Sequence, residues 1–178
     1  MQMGLIWGIV LSPEKDMLSA LYLAAQFLYI FQNVFLIFAT MVAAVIDLRT
    51  RTIPDKLNIF IAAVGLVFTV LSCILSYIAG AGIGGAYDKA VGVVAGGLPL
   101  YIAAFATNGS IGGGDIKFMA AAGLLLGWKK ALAALFISFA GAAAVLALLL
   151  AFKAWRKDTP VPLGPFFFIG IGTSILLL

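Results

Sequence analysis

Six apolar runs, separated by short polar or glycine-rich interruptions, make up almost the whole chain. A helix needs about 20 apolar residues to cross the hydrocarbon core of a bilayer. The first run, about residues 17–46, exceeds that length and carries Gln32-Asn33 midway, so a tilted helix, a kink or an interfacial first half all fit. Its membrane-crossing part is placed at about 24–47, with residues 1–23 read as interfacial. The second run covers about 57–79 and stops at the glycine-rich segment 80–85. The third covers about 88–106 and ends at the polar, glycine-rich loop 107–114. A fourth run, 115–127, is about half a membrane thick. The fifth covers about 131–152, and the sixth, about 163–178, follows a polar connector at 153–162. The pattern predicts an all-α polytopic membrane protein of about six transmembrane helices, the fourth short, folded as a single membrane-embedded domain over 1–178.

Composition agrees with the pattern. The chain is 64% hydrophobic and 10% charged, with a mean hydropathy of +1.18, whereas soluble domains are nearer half apolar and a quarter charged. The net charge of +4 does not point to nucleic acid, because in membrane proteins Lys and Arg mark cytoplasmic loops. Arg49, Arg51, Lys56, Lys117, Lys153, Arg156 and Lys157 collect on one side, and Lys15, Lys89, Lys129 and Lys130 on the other. The first set is therefore assigned to the cytoplasm. Residues 1–11 lack a basic n-region and do not read as a cleavable signal. Small residues are dense at 79–97 and 140–144, where helices are expected to approach closely. The single cysteine, Cys73, can form no internal disulfide or CxxC zinc site. The absence of histidine removes Ser-His-Asp and Cys-His catalysis, and leaves carboxylates as the main acid–base groups. No metal or cofactor is expected.

Two carboxylates then stand out, since an acid at a membrane boundary is costly to bury. Asp47 closes the first apolar run and Asp115 opens the fourth, both on the side assigned to the cytoplasm. A plain alternative for Asp47 is a solvated acid paired with Arg49 or Arg51. Pro54 biases Ile53 away from helix, so one helix ends before it and the next begins near it. Asp55 then falls in a first helical turn, where the helix dipole alone explains an acid. Gly112, Gly113 and Gly114 precede Asp115 and permit a tight turn or a close backbone approach. An anion cradle is the rival reading of those glycines, but the adjacent aspartate repels phosphate and no GK[ST] follows. Lys117 could pair with Asp115 or lie among lipid headgroups. Pro162, Gly164 and Pro165 could break helices or shape irregular backbone lining a cavity.

Together, Asp47 with Ile53-Pro54-Asp55, then Gly112-Gly113-Gly114-Asp115-Ile116-Lys117, then Pro162-Leu163-Gly164-Pro165-Phe166 resemble the type IV prepilin peptidases, members of the GxGD class of intramembrane aspartyl proteases. The resemblance covers about residues 30–178. It implies an aspartic endopeptidase with Asp47 and Asp115 as catalytic residues, the other named positions shaping the site, and a prepilin with a type IV leader as partner. It also implies an integral cytoplasmic-membrane location. The chain has Ile-Pro-Asp where many members have Ile-Pro-Asn, which bears on Asp55 rather than Asp47. The cytoplasmic methyltransferase segment with paired CxxC cysteines, found in larger members, is not seen in these 178 residues, which look like the short form associated with Flp-type pili. Helix polarity suggests unequal roles for the pair. Asp115, at a helix N-terminus, would be the resting base, and Asp47, at a helix C-terminus, the resting acid. The alternative function is a small proton- or ion-coupled transporter, for which intramembrane aspartates also serve. Both aspartates at one boundary, with no inverted repeat, count against it.

Overall fold

The computed structural model describes residues 13–82, 84–107, 111–152 and 161–178, and within them forms helices joined by turns. These helices are α1 (Pro13–Thr50), α2 (Asp55–Ile78), α3 (Gly84–Ala106), α4 (Gly113–Leu126), α5 (Trp128–Ala151) and α6 (Gly164–Leu177). Helices α1, α2, α3 and α5 are long and apolar enough to cross a membrane. Helices α4 and α6 have 14 residues each, about 21 Å at 1.5 Å per residue. The chain is an integral, polytopic, all-α membrane protein.

No helix boundary falls near residue 24. Helix α1 runs unbroken for 38 residues, and no Gly or Pro interrupts it after Pro13. Residues 1–12, including most of the segment read as interfacial, lie outside the described residues. Side chains from 16 to 31 are largely exposed, so the N-terminal half of α1 projects along the bundle. From there a stripe of buried residues at Leu36, Ala39, Thr40, Ala43, Ala44 and Asp47 faces the core, the spacing of one helical face.

Gln32 does not kink the helix. It is buried, and its Nε2 donates to the carbonyl oxygen of Leu125 in the last turn of α4. Lys89 of α3 donates its Nζ to the same oxygen. A helix leaves its last four carbonyls without internal partners, and a short helix that stops inside the bundle cannot rely on water for them. Two polar side chains from neighbouring helices meet that need. Gln32→Leu and Lys89→Met should each lower stability by about 1 kcal/mol. The double variant should cost more than the sum, because the carbonyl then keeps neither donor; thermal unfolding in detergent, read as a double-mutant cycle, checks this.

Helix α4 is the centre of the arrangement. It packs on α3, α2, α5 and α1, while α6 lies against α5 and α1. Contact between α3 and α4 is backbone on backbone, as the small-residue density at 79–97 anticipated. A Cβ placed on Gly92 would meet the Gly123 carbonyl oxygen at 2.2 Å, and one on Gly96 would meet the Met119 oxygen at 2.2 Å. This GxxxG spacing lets α3 press α4 into place. The charged residues sort by end: Arg49, Arg51, Lys56 and Lys117 lie with the start of α4, and Lys89 and Lys130 lie with its finish.

Candidate active site

Three helix ends meet where the candidate aspartates lie. The buried stripe of α1 delivers Asp47, which is 3% exposed. Its Oδ2 accepts a hydrogen bond of 2.7 Å from the Gly164 N–H at the start of α6, and the Leu163 N–H also donates to the carboxylate. Asp115 stands in the first turn of α4 and is half-buried. Its carboxylate reaches back to the Gly112 N–H, the reach of an N3 acid toward an N-cap. The two carboxylates lie near enough to act on each other electrostatically. One turn below each anchor, Phe118 of α4 and Phe167 of α6 are fully buried. Their rings stack with centroids 5.9 Å apart. A buried aromatic pair thus lies one turn from the residues that hold both carboxylates.

Tertiary packing adds a second helix end to the helix-polarity argument for the pair. Asp47 does lie at the C-terminal end of α1, but tertiary packing sets it against the N-terminus of α6 as well. Two backbone N–H donors reach its carboxylate, against one for Asp115. No ion pair with Arg49 or Arg51 is needed to hold Asp47, since α6 supplies the donors.

The flanking residues divide into those that touch the pair and those that do not. Gly164 has no room for a side chain: a Cβ there would lie 2.8 Å from the Asp47 Cβ and 3.0 Å from the Ala44 Cα. Pro165 occupies the first turn of α6. It lines, with Pro162, Leu48 and Phe166, a wholly apolar cleft of about 190 Å³ between α1, α5 and α6. Gly114 is equally constrained, since a Cβ would lie 2.5 Å from the Ile53 carbonyl oxygen. Gly113 faces open space, and Gly112 is the N-cap of α4 in an extended conformation. Pro54 is the extended N-cap of α2. Asp55 and Lys117 pair with each other at 2.8 Å, at 60% and 59% side-chain exposure. Lys117 follows Asp115 by two residues, about 200° around the helix, and so belongs to the opposite face of α4. Asp55→Asn or Lys117→Gln should therefore change stability by no more than about 1 kcal/mol, and less at high salt; melting curves at two ionic strengths check this.

Asn58 was not singled out in the sequence, although a carboxamide one turn into an apolar helix is a signal. It is 3% exposed, and its Nδ2 donates to the Gly114 carbonyl oxygen at 3.0 Å. With the Ile53 contact, this bond fixes the residue just before Asp115 onto α2.

Residues 34–148 match the model of the type IV leader peptidase family. The chain belongs to this family. Asp47 and Asp115 both fall inside the matched stretch, and Gly164 falls outside it. The chain is similar to the prepilin leader peptidase/N-methyltransferase of Bacillus subtilis (strain 168), at 33% identity over 164 residues, covering 86% of this chain and 60% of that protein. It is similar to the protein of the same name from Pectobacterium carotovorum subsp. carotovorum, at 33% identity over 138 residues, covering 73% of this chain and 45% of that protein. The chain thus spans less than two thirds of either relative's length. No solved structure matches it.

Proposed function

We propose that this leader peptidase family member is an aspartic endopeptidase that removes the leader from type IV, Flp-like prepilins, with Asp47 and Asp115 as its catalytic pair. The observation that supports this reading best is the meeting of two carboxylates from separate helix ends, one turn from a buried aromatic pair. Two acids so placed share a proton more readily than both ionise. With its two N–H donors, Asp47 takes the part of the resting carboxylate, and Asp115 that of the carboxylic acid; this reverses the roles suggested by helix polarity. The pair is described as one coupled unit in which the proton resides mainly on Asp115.

Asp47 removes a proton from water as its oxygen attacks the scissile carbonyl carbon, and Asp115 gives its proton to the carbonyl oxygen. A tetrahedral gem-diol results. Proton return to the departing nitrogen then breaks the C–N bond and releases leader acid and mature amine. Gly112 and Gly113 keep the start of α4 free of side chains, so that an extended peptide can pass close to Asp115, while Gly114 lets Ile53 pack directly on α4. Gly164 and Pro165 hold the α6 amides against Asp47. Pro54, Asp55, Lys117 and Pro162 shape the approaches rather than react.

The excess of Lys and Arg at this end supports a position for the pair at the cytoplasmic face of the cytoplasmic membrane. The reading covers a membrane-embedded peptidase domain, surrounded by lipid. The test is purified protein in lipid nanodiscs with a Flp-type prepilin, followed by mass analysis of the products. A single cut between leader and mature pilin is the expected result. An intact substrate, in conditions where a known prepilin peptidase cuts it, overturns the proposal.

A further inference from the structure

Asp47 and Asp115 come from separate helices, yet one short stretch of chain touches the anchors of both. Helix α1 stops at Arg51, whose N–H donates to the carbonyl oxygen of Asp47 itself at 2.7 Å. Arg51 has φ 53°, and among the described residues it is the one non-glycine residue with positive φ. A left-handed residue bonded back in this way is a common helix stop. Glycine is its usual occupant, because a Cβ is crowded in that conformation. Arg51 is exposed, so burial does not hold it there. Its neighbours brace the turn: the Thr50 hydroxyl lies 3.0 Å from the carbonyl oxygens of both Ile46 and Thr52, and Thr52 donates its own hydroxyl to Thr50. A strained residue persists where its surroundings over-determine it.

What the turn delivers is Ile53. Its side chain is buried, and its carbonyl oxygen fills the space where Gly114 would carry a Cβ. Pro54 then opens α2 with extended backbone, and its carbonyl oxygen accepts from the N–H groups of Leu57 and Asn58. Asn58 is thereby set one turn into α2, where its Nδ2 reaches the Gly114 oxygen at 3.0 Å. The entry to α2 thus grips Gly114 twice, once with main chain and once with a buried amide. The Asn58 Oδ1 is buried and has no hydrogen-bond partner among the described residues. An apolar side chain would avoid that unmet acceptor, so the amide is kept for its donor alone.

We propose that the reversal from Asp47 to Asn58 is a spacer that sets the separation of the two catalytic carboxylates, with Asn58 as the positioning residue for Asp115 and left-handed Arg51 as the fixed corner. The proposal rests on the peptidase reading above and says how its pair is held. One end of the spacer is the last turn of α1, which carries Asp47. The other end is Gly114, which Asp115 directly follows. Asn58 and Arg51 act through their neighbours and take no part in proton transfer. The Ile53-Pro54-Asp55 segment then has divided work: Ile53 and Pro54 set a distance, while Asp55 stays in its exposed pair with Lys117.

The test is cleavage kinetics of a Flp-type prepilin in nanodiscs, with thermal unfolding of each variant alongside. Asn58→Ala removes the donor and the unmet acceptor together, so the melting temperature should stay within about 3 °C of the parent. Its kcat should fall about 10–100-fold, the scale of a small misplacement of a reacting group, with KM changed less than about twofold. The pH profile of kcat, whose two limbs report the coupled pair, should narrow by about half a unit or more, because an untied Asp115 moves away from Asp47 and the two oppose each other's ionisation less. The other charged groups nearby, Arg49, Arg51, Lys56 and the Asp55–Lys117 pair, are exposed and unchanged in this variant. A parent-like kcat, or a fall that only follows lost folding with the pH profile unmoved, overturns the spacer and leaves the peptidase reading standing. A second pair of variants decides the matter if Asn58→Ala does not fold. Arg51→Gly keeps the left-handed backbone and should keep kcat within about twofold, whereas Arg51→Val, β-branched and excluded from that conformation, should lose about tenfold or more. Equal losses in both, or parent-like cleavage by Arg51→Val, contradict the proposal. No cleavage by the unmodified chain removes the peptidase reading and the spacer with it.

Discussion

Asp47→Asn and Asp115→Asn are each expected to lower the rate of leader cleavage by about 10²–10⁴-fold, the range over which a positioned acid or base contributes. Neither loss should come from misfolding. Asparagine has the shape of aspartate and keeps one oxygen acceptor. At position 47 that oxygen can still receive the Gly164 N–H that now meets Oδ2 at 2.7 Å. At position 115 it can still receive the Gly112 N–H. Each substitution also leaves a single ionisable group where two carboxylates now oppose each other's ionisation. Melting temperature should therefore hold or rise while activity falls, a combination found where function is held at the expense of stability. The measurement is cleavage rate alongside thermal unfolding of each variant in the same nanodiscs. A variant that keeps more than a tenth of the parent rate removes its aspartate from the mechanism. A scaffold or transporter in which these acids are merely solvated predicts no such fall.

The largest expected effect on stability comes from Gly123→Ala. A Cβ at this position would lie 2.0 Å from the Gly92 carbonyl oxygen and 2.7 Å from its carbon. The obstruction is helix backbone, which has no rotamer to change, so α3 and α4 must separate. Overpacking of this kind costs about 1–3 kcal/mol and sometimes more; a clash with main chain belongs at the upper end. The reciprocal change, Gly92→Ala, meets the Gly123 oxygen at 2.2 Å and should be equally harmful. Gly85→Ala, in the first turn of the same α3, has nothing within 4 Å of its new Cβ, and should stay within about 0.5 kcal/mol of the parent. Unfolding in graded denaturant, compared across the three, checks the order. Equal stability of the Gly123→Ala and Gly85→Ala proteins would refute the close α3–α4 contact. Because α4 carries Asp115, partial activity loss should accompany the destabilisation even under conditions where the variant stays folded.

Much of this architecture was legible in the chain. Each apolar run became a helix, because a chain this apolar buries its backbone polar groups only by forming helices in lipid. Asp47 and Asp115 were visible as costs without an evident structural return, and the glycines of 79–97 were visible as a close-packing surface. Other features depended on contacts between distant positions. Gln32 read as a weak point in an apolar run and is instead a donor to Leu125, 93 positions away. Asn58 was not singled out, yet it ties α2 to the residue before Asp115. Lys117 could have paired with its near neighbour Asp115, but two residues of helix turn it to the other face, toward Asp55.

The sequence by itself determined that this is a helical membrane protein with two boundary carboxylates and no histidine to do their work. Those conclusions rest on composition and on periodicity, which are local and additive along the chain. Only the tertiary structure decided which backbone donors reach each carboxylate. The polarity of α1 alone disfavours a charge on Asp47, but the N-terminus of α6, 117 positions further on, turns an N–H toward it. A helix dipole acts within about one turn of its end, and which ends lie within a turn of one another is settled by packing.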